Sequence, residues 1–236
     1  MSDLTALRAL ESKLREGEVE VEGRMPWSSN QTFLVRVVDD EHVLPAVYKP
    51  AAGERPLWDF PPGLYRREIA AYELAMALGW PIVPPTIERE GPFGKGSVQL
   101  LVEADYEQHY FTLVEDTSHH PALKRLCLFD LLANNTDRKS GHCLIDSTGH
   151  IWGIDHGLCF AADFKLRTVI WNFEHEPIDE GLMADVVDLT EDFPEQISEL
   201  LDHDEVAALL RRANRVVEHG LFPDDPTGRR WPWPLV

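Results

Sequence analysis

The chain of 236 residues is poor in cysteine, in basic charge and in long apolar runs. Its three cysteines, Cys127, Cys143 and Cys159, stand singly in apolar stretches, which argues against a disulfide framework or a zinc site and for reduced core residues. Lysine and arginine total 22 against 41 acidic residues, a formal charge of -19. Such a field repels nucleic acid and anionic lipid surfaces, so an anionic ligand must be received in a local basic pocket. No apolar run approaches a membrane span, and the opening Met1-Ser-Asp-Leu-Thr-Ala-Leu-Arg8 has no basic region followed by an apolar one. A cluster of lipidation-type cysteines and a basic amphipathic segment are also missing. A soluble cytoplasmic protein is expected, with no nucleic-acid partner and no stable membrane association. No repeat or low-complexity tract is visible.

What is present changes character along the chain. Leu4, Leu7, Leu10 and Leu14 recur at helical spacing up to the breaker Gly17. From Val19 to Tyr48 short alternating segments separated by turns such as Asp39-Asp40 read as antiparallel strands. Arg66 to Gly79 is rich in helix formers and ends in glycine. Ile82 to Ile87 and Ser97 to Glu103 then read as two more strands, joined by a hairpin turn through Gly91-Pro-Phe-Gly-Lys-Gly96. That glycine-rich turn is no phosphate loop, because its spacing is wrong and a strand follows it. Pro121–Ala133, Asp179–Asp188 and Glu195–His219 read as helices, and the tail Arg229–Val236 is expected to pack its tryptophans on the helical part. The expected architecture is α+β: one bilobed domain over residues 1–236, with an antiparallel-sheet N-lobe to about 103 and a mainly helical C-lobe from about 104.

Two aspartates focus the chemistry. Asp137 lies in the polar turn Asn134–Gly141 after an apolar helix, and Asp155 follows the hairpin Cys143–Asp146/His150–Ile154, which turns at Ser147-Thr-Gly149. The hairpin returns both carboxylates to one end. Phosphoryl transfer needs a cation on the ATP phosphates, a metal against developing charge and a residue orienting the attacking hydroxyl. Lys49, at the end of the strand Ala46-Val-Tyr-Lys49, supplies a cation, and Glu68 on the following helix supplies a carboxylate to aim it. Asp137 is placed to orient or accept the acceptor's proton, Lys139 to reach the transferring phosphate, and Asn135 or Arg138 to fix the loop. The polar turn before the second strand, with Ser28 and Ser29, could cover phosphates through hydroxyls and backbone amides, although it has few glycines. Gly157 lets the backbone bend after Asp155.

These residues resemble the phosphatidylinositol 3-/4-kinase superfamily, most closely the type II phosphatidylinositol 4-kinase-like bacterial proteins. Val47-Tyr-Lys-Pro50 is similar to the lysine strand, Arg67-Glu-Ile-Ala-Ala-Tyr72 to the paired-glutamate helix, Asn135-Thr-Asp-Arg138 to the catalytic loop and Ile154-Asp-His-Gly-Leu-Cys-Phe160 to the metal segment. The resemblance implies a protein-kinase-like fold, with ATP and Mg²⁺ or Mn²⁺ as cofactors. It implies that Lys49 binds the α- and β-phosphates, Glu68 pairs with it, Asp137 acts on the acceptor hydroxyl and Asp155 ligates the metal. The adenine would lie against Gln99, Leu101, Val102 and Glu103. His142 stands where the family usually has an asparagine on the second metal, a softer ligand that shifts preference toward Mn²⁺ or weakens that position. His119 and His120 are expected to be exposed, and His156 to point into the cleft. The partners expected are ATP and a hydroxyl acceptor, either a soluble small molecule or a protein serine or threonine. A nucleotide-binding pseudokinase and an AMP transferase are the alternatives.

Overall fold

The computed structural model describes residues 4–26, 28, 30–39 and 42–235. The first helix, α1 (Leu4–Glu16), turns Leu7 and Leu14 into the interior, and Gly17, just past its end, packs so close to the sheet that a Cβ there would lie 2.7 Å from Val37 Cγ1. Five strands follow, interrupted by one helix: β1 (Glu18–Arg24), β2 (Phe33–Val38), β3 (Val43–Pro50), α2 (Leu64–Ala77), β4 (Thr86–Gly91) and β5 (Gly94–Leu100). They form one antiparallel sheet in the order β1-β2-β3-β5-β4. Period-two alternation buries Val35, Val37, Ala46, Tyr48, Ile87 and Val98 on one face, where Leu14 covers them.

The remaining elements are mainly helical: α3 (Tyr110–Leu113), α4 (His120–Ala133), the hairpin β6 (Cys143–Ile145) and β7 (Ile151–Gly153), then α5 (Glu180–Glu191), α6 (Glu195–Leu200) and α7 (His203–His219). The largest core joins α2 and α4 to the hairpin and to α5 and α7, so the sheet-borne and helical parts meet in shared apolar packing. The α+β arrangement read from the sequence, an antiparallel sheet followed by a mainly helical part, is therefore present.

Several local expectations need correction. Ile82–Pro85 is not strand: Pro84 and Pro85 carry no N–H for a ladder, and pairing starts at Thr86. The next strand starts at Gly94 and ends at Leu100, so residues 101–103 have left the sheet. The long last helix is split, because Asp202 and Glu205 form a reciprocal capping box that starts α7 anew. In the tail, Pro232 is buried and Leu235 packs on the core, but Trp231 is 39% and Trp233 87% exposed. Ser140 N–H donates to Leu235 O at 2.8 Å, so backbone rather than indole anchors this segment. The three cysteines are buried and free. Among the described residues no helix is long and apolar enough to cross a membrane.

Candidate active site

Lys49 reaches its position through strand register. Ala46 and Tyr48 face the sheet core, which turns Lys49 to the opposite side, toward α2 and the segment after β7. The strand can pass close to β5 there only because residue 96 is glycine: a Cβ would fall 2.3 Å from Lys49 O. Lys49 Nζ donates to Glu68 Oε1 and, at 2.8 Å, to Asp155 Oδ1. One ammonium thereby ties β3, α2 and the post-hairpin segment together.

Glu68 is held from both sides. Its helix has a remote cap, since the Glu54 carboxylate accepts from Gly63 N–H and Tyr65 N–H, both at 2.8 Å, where the helix dipole favours negative charge. Its second oxygen accepts from His156 N–H at 2.9 Å. A Cβ on Gly157 would sit 3.2 Å from Glu68 Oε1, so the segment's close approach to α2 leaves little room for a side chain. Asp155 itself takes the left-handed backbone conformation, with φ 61°, a sparsely populated state for a non-glycine residue that its neighbours must enforce. Ile154 N–H donates to His142 O at 3.1 Å and Ile154 O accepts from Arg138 Nη1 at 2.8 Å.

The catalytic-loop candidate begins where Asn134, also left-handed with φ 50°, ends α4. Asn135 Oδ1 accepts from Asp137 N–H at 3.0 Å, and Lys139 Nζ donates to Asp137 Oδ2 at 2.7 Å. Between them Arg138 turns inward and is fully buried. All five of its N–H groups are used: Nε on the Asp130 carboxylate, Nη1 on His142 O and Ile154 O, Nη2 on Asp130 Oδ1 and on His156 Nε2. Asn135 Nδ2 adds a bond to Asp130 Oδ1 at 3.0 Å. The loop-fixing role thus falls to Arg138 and Asn135 together. His156 does not enter the cleft: it is buried, and with Nε2 accepting from Arg138 its proton lies on Nδ1.

Electrostatics follow from this packing. Burial weighs against the Lys49 ammonium, yet Asp155 and Glu68 outweigh it and raise its pKa. Lys49 is the main cause holding Asp155 well below the usual carboxylate range. Burial pushes Glu68 up despite Lys49, and pushes Asp137 up despite its bond to Lys139. Burial lowers His142 to about 4 against the opposing pull of the Asp155 carboxylate, with Arg138, Lys139 and Lys49 adding to the lowering, so its ring is neutral at physiological pH.

These groups line a cleft of about 700 Å³, whose wall includes Ser28, Lys49, Glu68, Asp137, Lys139, His142 and Asp155. Of the residues expected to bind nucleotide, Ser29 lies outside the described residues. Gln99 is buried and donates to Thr86 Oγ1, and Val102 packs with Leu7, Leu144 and Trp152, while Glu103 borders a neighbouring groove. Leu101 N–H donates to Pro45 O just after the chain leaves the sheet. None of these four is in the cleft wall. His119 and His120 are half-buried, not exposed, and face Leu113 O and Val114 O. Sequence reasoning missed Glu54, Arg55, Tyr65 and Pro234, which also line the cleft.

For a divalent cation, the described residues contain no group of three or more His, Cys, Asp or Glu side chains so arranged. The donor set nevertheless fits a Mg²⁺-type ion, which commonly takes one or two carboxylates and completes its shell with phosphate and water. Asp155, half exposed, is the available carboxylate. His142 Nε2 lies 3.5 Å from Asp155 Oδ2, while Nδ1 faces Lys139 N–H at 3.4 Å. That pattern places the imidazole proton on Nε2, toward the carboxylate, whereas a ligand role for Nε2 requires the other tautomer.

A family profile described as "Phosphatidylinositol 3- and 4-kinase" matches residues 69–219. Protein Rv2133c of Mycobacterium tuberculosis is 36% identical over 94% of this chain and 93% of its own length. Among solved structures, that of hydra Fam20 with sugar superposes with a TM-score of 0.56 at 13% identity, over 91% of this chain and 88% of that one. The Golgi casein kinase gives a TM-score of 0.56 at 15% identity, over 92% and 76%. The structural likenesses carry the kinase-like fold alone, and the sequence matches carry membership: this chain belongs to the phosphatidylinositol 3- and 4-kinase family.

Proposed function

We propose that this protein is an ATP-dependent phosphotransferase acting on a hydroxyl of a soluble small molecule or of a protein serine or threonine. The observation that carries the reading is Lys49 bonded to Glu68 and Asp155 at the mouth of a cleft that also receives Asp137 and Lys139. An ammonium has three N–H donors; two are taken by carboxylates, and the third is free to serve phosphate oxygens. Ser28 covers the phosphates, and the family resemblance puts the adenine near residues 99–103, a stretch that borders the cleft wall without forming part of it. Asp155 holds the divalent cation, with His142 orienting its carboxylate. Mg²⁺ or Mn²⁺, when bound, neutralises charge on the phosphates.

Asp137 orients the acceptor hydroxyl, and its raised pKa suits it to take the proton. The hydroxyl oxygen bonds to the γ-phosphorus, the bond to the β–γ bridging oxygen breaks, ADP leaves and the proton passes to Asp137. Lys139 limits the negative charge as this happens. The whole chain serves as one catalytic unit, with residues 1–103 and 104–236 as its lobes. The charge of -19 supports a soluble acceptor over nucleic acid or an anionic membrane.

Incubation of cell extract with the protein and either γ-labelled or α-labelled ATP tests this. A product labelled only from the γ position, absent with Asp137→Ala, is expected. Label from the α position would establish AMP transfer instead, and no labelled product with any acceptor would favour a pseudokinase.

A further inference from the structure

A second cavity, of about 540 Å³, is bordered by α4, α7 and the segment around residues 221–230, and shares no wall residue with the cleft. Its lining runs against the charge of the molecule. In a chain with 41 acidic and 22 basic residues, Arg211, Arg212, Arg215 and Arg230 line it with a single carboxylate, Asp224. Arg211 and Arg215 are exposed and one turn apart on α7, a spacing at which like charges repel. The Arg230 guanidinium stacks over the Phe164 ring at 5.1 Å, so it borders the apolar side of the same cavity.

Arg212 is the unusual member. It is only 7% exposed, and no carboxylate lies within ion-pair distance of it among the described residues. Nε donates to Leu132 O at 2.8 Å and Nη1 reaches Ala161 O at 3.5 Å, but Nη2 has no partner among the described residues. Burial lowers its pKa to about 10, which leaves it charged at neutral pH. A buried guanidinium whose longer-range carboxylate, Glu205, is already paired with Arg67, and which has a donor unused, is costly unless a ligand supplies a direct partner. The volume lies within the range of about 300–1,000 Å³ typical of small-molecule sites.

We propose that this cavity binds a small organic anion, with a phosphate or carboxylate head received by Arg211, Arg212 and Arg215 and an apolar or aromatic body lying on Phe164, Leu221 and Phe222. Its ligand would sit next to the backbone behind the catalytic loop, because Ala161 O also accepts from Asn134 Nδ2 at 2.8 Å.

Calorimetric titration of the full chain with phenyl phosphate, benzoate and neutral phenol tests the proposal, run on the wild type, on Lys49→Met and on the double variant R211Q/R215Q. Lys49→Met separates this cavity from the cleft, and the two exposed arginines can be replaced without disturbing buried packing; melting curves check that each variant is folded. One of the two anions is expected to bind one-to-one to the wild type and to Lys49→Met with equal affinity, and at least tenfold more weakly to R211Q/R215Q. Phenol is expected not to bind. Preference between the anions identifies the head group. Unaltered affinity in the double variant, loss of binding in Lys49→Met, or no binding of either anion at millimolar concentration would overturn it.

Discussion

Asp137 and Arg138 are neighbours in sequence and opposites in environment. The aspartate faces an open cleft beside Lys139, whereas the arginine is sealed behind it with every N–H engaged. The front of the loop keeps charges partly solvated and only locally paired, which leaves them able to change partners when a ligand arrives. The back fixes the Asp130 carboxylate, two backbone carbonyls and His156 into one arrangement. The comparison suggests a division of labour: activity depends on the front, and the geometry of the front depends on the back.

Breaking the back should have the largest effect. Arg138→Met strands the buried Asp130 carboxylate and releases the carbonyls of His142 and Ile154, a loss expected to cost about 3–5 kcal/mol of stability, as when one partner of a buried ion pair is removed. Urea denaturation measures it. A loss below about 1 kcal/mol would mean that the network does not hold the loop.

The front should separate activity from stability. Asp137→Asn keeps shape and is expected to lower kcat by about 10²–10⁴, the range for loss of a positioned proton acceptor. Its urea midpoint should stay close to the wild type, and a matched fall in stability would erase the distinction between the two sides.

How much of this was legible in the sequence depends on how local each signal is. Lys49, Glu68, Asp137 and Asp155 could be placed because strand alternation, a glycine-terminated helix and a tight hairpin turn set their order within short stretches. The Glu54 cap could not, because it reaches the α2 N-terminus from an irregular segment with no periodicity of its own. The burial of His156 is equally hidden, since a histidine beside a cleft aspartate reads as pointing into the cleft until Arg138 is seen to claim its Nε2. Ile82–Pro85 reads as strand within its apolar run, but Pro84 and Pro85 lack the N–H groups that a ladder needs, so pairing starts at Thr86.

A smaller effect lies in pH. Burial keeps the His142 ring neutral down to about 4, while in the unfolded chain it takes up a proton near pH 6.5. Between those values the unfolded state binds more protons, so this group's contribution to stability falls as pH drops, by roughly 2 kcal/mol at pH 5. His156, also held neutral by burial, acts in the same direction, and the raised carboxyls of Glu68 and Asp137 act against it. Comparing wild type with His142→Asn isolates the term. The variant should lose less stability between pH 7 and pH 5, and equal losses would show that His142 does not titrate this way.

The most direct measurement is ATP affinity with and without Mg²⁺, in the wild type and in Asp155→Ala. If Lys49 and Asp155 form a nucleotide site, Mg²⁺ should tighten ATP binding to the wild type by tenfold or more and have no effect on the variant. An equal Mg²⁺ dependence in both proteins would contradict the assignment of the cleft.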